Sequence, residues 1–421
     1  MTVKLQSGGD LMAELIRAEL KKICRRKLTI IVTSVCFLLT VLFFLLPFIQ
    51  YVTWDVNGNR LSGSDAVSYR QERYNELSGA LTEERIESDI QEYQDIYSDP
   101  ENLITERGGE IPFTDEIYYG WLAQRTSYLN MIGNTYEHNE MGYLNIPSVS
   151  GEDASRFYEV RNENVTAYIE SNSNLSNSEK EYWTDKNSQI TEPYEYGYPM
   201  GWSIFGDTFQ MLVICILGIC IAAAPVFAGE YQSGADSVIL STRFGKSKLV
   251  WAKLISVGLF GTVVFAVNAT AALLLPLITF GFRGGDLPLQ IMDSFCPYSL
   301  TFSQASFILI GIAYLVMLAL LSVTLLCSAK MKTPFGVLVV DVVLIFLPLF
   351  LQPSSNDLWQ HIFYLLPSSV IQGLSLFKLY LSYDFGFTVL NLFSMTVLIY
   401  AAAILLCVLF AQRGFKKHQV Q

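Results

Sequence analysis

The chain has little of what a reactive site usually needs. It holds three histidines, His138, His361 and His418, and none is spaced with a second histidine or a cysteine for a metal. None of its seven cysteines lies between residues 51 and 203. Cys24, Cys36, Cys215, Cys220, Cys327 and Cys407 sit in or beside apolar runs, and only Cys296 falls in a loop, so there is no disulfide framework and no metal spacing. No GxSxG or HExxH occurs. Gly245-Lys246-Ser247 ends like a phosphate-binding loop, but the required earlier glycine is replaced by Leu240 and no strand precedes it. These absences exclude metal centres, hydrolytic triads and a nucleotide hydrolase within this chain. No enzyme activity and no resident cofactor are expected.

Charge is missing from long stretches too. Residues 28–49 and 209–228 carry none, and the first, at 22 residues, would rise about 33 Å as a helix, enough for the ~30 Å hydrocarbon core. It is too long for the apolar region of a cleaved signal peptide, and no small-residue cleavage pattern follows it. Mean hydropathy is +0.34. Further candidate spans lie at 249–280, 302–328, 334–351 and 387–411. The expected fold class is therefore an all-α polytopic membrane protein with six transmembrane helices. The domains run 1–27, an amphipathic helix; 28–50, span one; 51–203, an extracellular domain; 208–228, span two; 229–248, a cytoplasmic loop; 249–280, 302–328 and 334–352, spans three to five; 353–384, re-entrant or interfacial helices broken by Pro367; 387–411, span six; and 412–421, a tail.

Lysine and arginine set the orientation. Sixteen flank the spans on the side of the N-terminus, the loop after span two through Lys253, Lys330, Lys332 and the tail, against only Arg283 and Lys378 in the opposite short loops. Both termini are expected in the cytoplasm and residues 51–203 outside, on a bacterial cell membrane. That block holds 10 Lys+Arg and 28 Asp+Glu, so it is acidic, and no nucleic-acid partner is expected. It also holds sixteen of the 23 tyrosines, either as the core of a small domain or as a surface for a cationic or aromatic peptide. It reads mostly helical. Residues 82–97 place Ile86, Ile90, Tyr93 and Tyr97 on one stripe behind a Thr82 cap, and 120–132 is a second helix. Turns are expected at 98–102 and 106–112, and re-entry at 197–202.

Two polar residues inside spans stand out. Asp341, near the middle of span five, either lines a translocation path or subunit interface or is a packed carboxyl; Asn268 on span three is a weaker case of the same kind, with a helix–helix hydrogen bond as its simpler role.

Residues 10–27 form an amphipathic helix with Leu11, Met12, Leu15, Ile16, Leu20 and Ile23 on one side, expected along the inner membrane face and touching lipid. After span two comes Gly229-Glu230, a short small-residue helix through Ser233 and Gly234, a turn with Arg243 and Lys246, and a Trp251-x-Lys253 start to span three. This arrangement resembles the coupling-helix loop of type-2 ABC exporter permeases. The resemblance covers the N-terminal helix, the span count and the broken helices before the last span, but not the large insert. It implies that Glu230 matches the family's acidic residue at the end of span two, that residues 233–241 match the coupling helix, and that Ser233, Gly234, Arg243, Lys246 and Lys253 belong to the contact with a separate cytoplasmic ATPase. It further implies ATP and Mg on that partner, a second permease copy or homologue, and export of an amphipathic substrate such as an antimicrobial peptide, lipid or hydrophobic drug. Leu61-Ser62-Gly63-Ser64, which looks like part of a nucleotide-transporter signature, falls in the outer block, where no ATP binds. A mechanotransmission protein that moves its outer domain, and a receptor unrelated to ABC transporters, are the alternatives.

Overall fold

The computed structural model describes residues 8–104, 113–137, 141–241, 248–353 and 356–417. The turn expected at 106–112, His138, His418, Arg243 and Lys246 lie outside the described residues.

The chain is an all-α polytopic membrane protein; its described residues also form three two-stranded antiparallel ladders, β1 (Val52–Trp54) with β2 (Arg60–Ser62), β3 (Gly79–Ala80) with β4 (Glu195–Tyr196), and β5 (Ser382–Asp384) with β6 (Val389–Asn391). Helix α1 (Gly8–Cys24) precedes α2 (Lys27–Gln50). An inserted domain follows, built from α3 (Gly63–Glu76), α4 (Glu83–Ser98), the single turn α5 (Asp115–Ile117), α6 (Ala123–Tyr136), α7 (Gly151–Ser155), α8 (Phe157–Ser171) and α9 (Asn177–Ser188). Then come α10 (Met200–Thr208) and α11 (Val213–Ala223), the short α12 (Ala228–Ser233) and α13 (Ala235–Ser241), α14 (Lys248–Phe280), α15 (Phe302–Lys330), α16 (Pro334–Phe346), α17 (Asp357–Phe363) and α18 (Leu392–Lys417).

Five helices among the described residues are long and apolar enough to cross a membrane: Lys27–Gln50, Met200–Val226, Lys248–Phe280, Phe302–Lys330 and Leu392–Gly414. The apolar α16 has only 13 residues, a rise of about 20 Å, and then tightens into a 3-10 turn at Leu347–Phe350. The second of the five starts at Met200, upstream of the apolar run, because the helix continues through the exposed Asp207. The last starts at Leu392, because the apolar residues before it form β6 (Val389–Asn391), paired with β5 (Ser382–Asp384) around Gly386 at φ 79°. Between α16 and β5, the segment around Pro367 holds only the seven-residue α17 and a 3-10 turn at Leu374–Lys378.

In the bundle, α15 is central and α18 packs along it, while α2 packs on α11 and α14. A close approach fixes the first of these α2 contacts. A Cβ built at Gly218 would press on Cys36 Sγ, so a larger side chain there requires Cys36 to move. The second is tied by Thr40, whose Oγ1 donates to Asn268 Oδ1 at 2.8 Å in the buried interior.

The inserted domain has its own aromatic core. Ile86, Ile90 and Tyr93 are buried and Tyr97 is half-buried against Phe113. Thr82 caps α4 by accepting from Arg85 N. The Tyr158 hydroxyl joins two segments of the core, donating to Leu81 O and accepting from Tyr194 N. The domain is fastened to loops between the long helices: Gln71 Nε2 donates to Phe280 O at 2.8 Å, the fully buried Arg161 donates through Nε to Ser294 O at 2.9 Å, and Trp183 Nε1 donates to Ser382 Oγ at 3.1 Å.

Candidate functional site

The end of the bundle opposite the inserted domain carries the densest cluster of charge linking separate elements. It begins with a break. Pro225 and a 3-10 turn at Ala224–Val226 end the second long helix, and α12 restarts at Ala228. A restart leaves backbone N–H groups without helical partners. Ser328, near the end of α15, supplies one: its Oγ accepts from Phe227 N at 3.1 Å and Ala228 N at 3.0 Å, and donates to Ala224 O at 2.7 Å. Tyr231 Oη donates to Ala329 O at 3.1 Å. The bend is thus pinned to α15 from both sides.

One turn into α12 stands Glu230, 4% exposed. Its Oε1 meets Lys253 Nζ, on α14, at 2.6 Å and Lys22 Nζ, on α1, at 2.6 Å. Lys253 is fully buried and also meets Glu19 Oε2 at 3.1 Å. Its ammonium therefore bridges one carboxylate on α1 and one on α12. Ser256 Oγ donates to Ile16 O at 3.0 Å and holds α1 along α14. Arg26, between α1 and α2, is half-buried; burial lowers its pKa from the ordinary guanidinium value, and the Glu19 and Glu230 carboxylates raise it again. Glu230 Oε2 is buried without a hydrogen-bond partner among the described residues. Charge-assisted bonds thus join α12 to α14 and to α1 at this end of the bundle.

Glu230 and Lys253 come together as neighbours, but both face inward. What this end presents to solvent is the turn beyond them. Ser233, Gly234 and Ser237 are exposed, and Val238 is 68% exposed. Gly234 takes φ 72° between α12 and α13, a left-handed conformation that a side chain would strain. Reading the sequence missed Glu19, Lys22 and Ser328. Glu19 had a faint signal, as an acid on the border of an apolar helical stripe; Ser328 had none.

The two membrane-embedded polar residues lie elsewhere. Asn268 is engaged with Thr40 and also donates to Val264 O at 2.8 Å. Asp341 is fully buried on α16, with Oδ1 accepting from Thr324 Oγ1 at 2.9 Å and Oδ2 without a partner among the described residues.

The family described as ABC-2 family transporter protein matches this chain over residues 13–417. No curated protein and no solved structure matches it.

Proposed function

The chain belongs to the ABC-2 transporter family and is a membrane permease component of an ABC transporter; we propose that it is the six-span subunit of an ATP-driven exporter, with both termini cytoplasmic and the inserted domain outside a bacterial cell membrane. It would pair with a second copy or homologue and with cytoplasmic ATPase subunits that hold ATP and Mg. The substrate class proposed is an amphipathic molecule: an antimicrobial peptide, a lipid or a hydrophobic drug.

The observation that carries this reading is the Glu230–Lys253 contact at 2.6 Å, joined to Glu19 and Lys22. Closure of an ATPase dimer against the exposed turn at Ser233 and Gly234 would move α12 and α13, and the buried bridge would carry that motion to α14 and α1. In this account Ser233 and Gly234 touch the ATPase, Arg243 and Lys246 flank the contact, and Glu230 and Lys253 transmit from within. Asn268 fastens α14 to α2. Asp341 would be uncovered to a path or subunit interface only when α16 shifts on α15. The test is reconstitution of the chain with its co-purified ATPase: Glu230→Ala should leave basal ATP hydrolysis intact while substrate movement falls at least tenfold. Unchanged transport would overturn the assignment.

A mechanotransmission role is the second reading. It is favoured by the fastening of the inserted domain to the loops after α14 and α17 through Gln71, Arg161 and Trp183. A receptor outside the ABC transporters is ruled out by the family membership.

A further inference from the structure

A slot of about 550 Å³ lies where the inserted domain meets α15 and α18, within the range of roughly 300–1,000 Å³ common for small-molecule sites. Its walls are apolar. Ile308, Gly311, Ile312 and Leu315 line it from α15, spaced i, i+3, i+4 and i+7 on one face; Phe393 and Val397 line it from α18. From Ile308 to Leu315 the helix rises about 10 Å, so the slot follows the helices into the depth of the hydrocarbon. Space is left open at Gly311, where an added Cβ would meet nothing within 4 Å.

The mouth is polar; among the described residues Lys186 is the one charged residue lining it, with the Asp185 carboxylate one step back, accepting from Gln189 Nε2 at 2.8 Å. Lys186 and Gln189, at the end of α9, and Asn391, at the end of β6, border it. The acidic insert contains just two lysines. Lys180 is paired with Glu170 at 3.7 Å. Lys186 makes no ion pair among the described residues; its Nζ is 3.5 Å from Gln189 Oε1 and lies 5.9 Å from the centre of the Tyr182 ring. Tyr298 lines the slot, is 5% exposed, and its buried hydroxyl has no hydrogen-bond partner among the described residues.

We propose that this slot binds one anionic glycerophospholipid of the outer leaflet, with an acyl chain between α15 and α18 and its phosphate at Lys186. An unpaired ammonium above a membrane-deep apolar channel matches a ligand with a negative head and a long tail, and an interface lysine attracts anionic lipid by about 1 kcal/mol. A zwitterionic lipid fills the same channel without that charge match. The head would be held by the insert and the tail by the bundle, so the lipid ties the two together in addition to the protein's own bonds. The proposal rests on the insert lying outside; it is independent of which substrate is moved.

The test uses the full chain in nanodiscs doped with photoactivatable phosphatidylglycerol or phosphatidylcholine, followed by peptide mapping. The anionic probe is expected to label residues 308–315, about fivefold less in Lys186→Gln and at least tenfold less in Gly311→Trp, whose indole occupies the slot without meeting neighbours at its Cβ. Gly311→Trp should keep the elution profile of the parent protein. Equal labelling by both lipids, or labelling that survives Gly311→Trp, would overturn the proposal. If labelling behaves as expected but no ATPase accompanies the chain, the exporter reading fails and the lipid site stands.

Discussion

The carboxylate of Glu230 on α12 and the ammonium of Lys253 on α14 stand 2.6 Å apart, both removed from solvent, with Glu19 of α1 closing on the same nitrogen at 3.1 Å. A buried ion pair of this kind is poor evidence for stability as such, because desolvation offsets much of its attraction. It is evidence for position, because each charge is held from two elements: Lys253 by Glu230 and Glu19, and Glu230 by Lys253 and Lys22.

Removing one partner should therefore be costly. Glu230→Ala leaves Lys253 buried with Glu19 alone and is expected to destabilise the junction, by less than the about 3–5 kcal/mol of a fully uncompensated buried charge. Replacing both, as in Glu230→Leu with Lys253→Met, should restore much of that stability but not transport. Thermal melts of the purified chain and its variants, combined as a double-mutant cycle, check this. Additive losses would contradict a direct pair.

Ser328 is expected to matter for its three hydrogen bonds rather than its volume. Ser328→Ala leaves buried backbone groups at the bend unsatisfied, at about 1–3 kcal/mol. Hydrogen exchange over 227–233 should quicken, while the inserted domain exchanges as before.

Thr40→Val removes the hydroxyl that reaches Asn268 and keeps the side chain's shape. An interhelical bond in a membrane bundle is worth about 0.6 kcal/mol on average, so a small loss of melting temperature is expected, with Thr40→Ser close to the parent. A larger effect from Thr40→Ser than from Thr40→Val would point to packing instead.

Asp89 supplies a pH-dependent prediction. It accepts from Tyr128 Oη at 2.5 Å, and burial raises its pKa above the ordinary aspartate value, against the lowering by Tyr128 and Arg85. A raised folded-state value means that the carboxylate weakens the fold once pH is above that value, and that this penalty is absent below the unfolded value. Asp89→Asn keeps an acceptor for Tyr128 and has no charge to desolvate. It should melt higher than the parent at neutral pH, with the gap closing as pH falls through the carboxylate range.

Much of this molecule is legible in its sequence, for reasons that differ by element. The long helices are legible because charge-free runs have few other uses. Ile86, Ile90 and Tyr93 are legible because a stripe at helical spacing has to be covered. The start of α10 is not, because Asp207 interrupts the apolar run while the helix continues. The late start of α18 is hidden as well: Val389 and Leu390 are as apolar as a span, but the turn at Gly386 sends them into a hairpin. At the site, Glu230 and Lys253 could be singled out from their places at the ends of long helices. Their inward direction could not, since it depends on Glu19 and Lys22, more than 200 positions away in the chain.

The central claim is that a partner ATPase acts on the turn carrying Val238, and that the Glu230–Lys253 bridge passes the motion on. A photo-crosslinking residue at Val238, which is 68% exposed, tests the contact most directly in native membranes. The account predicts one dominant adduct with a soluble protein that carries nucleotide-binding motifs, its yield changing with bound nucleotide. Adducts with lipid alone, or with no ATP-binding protein, would contradict it.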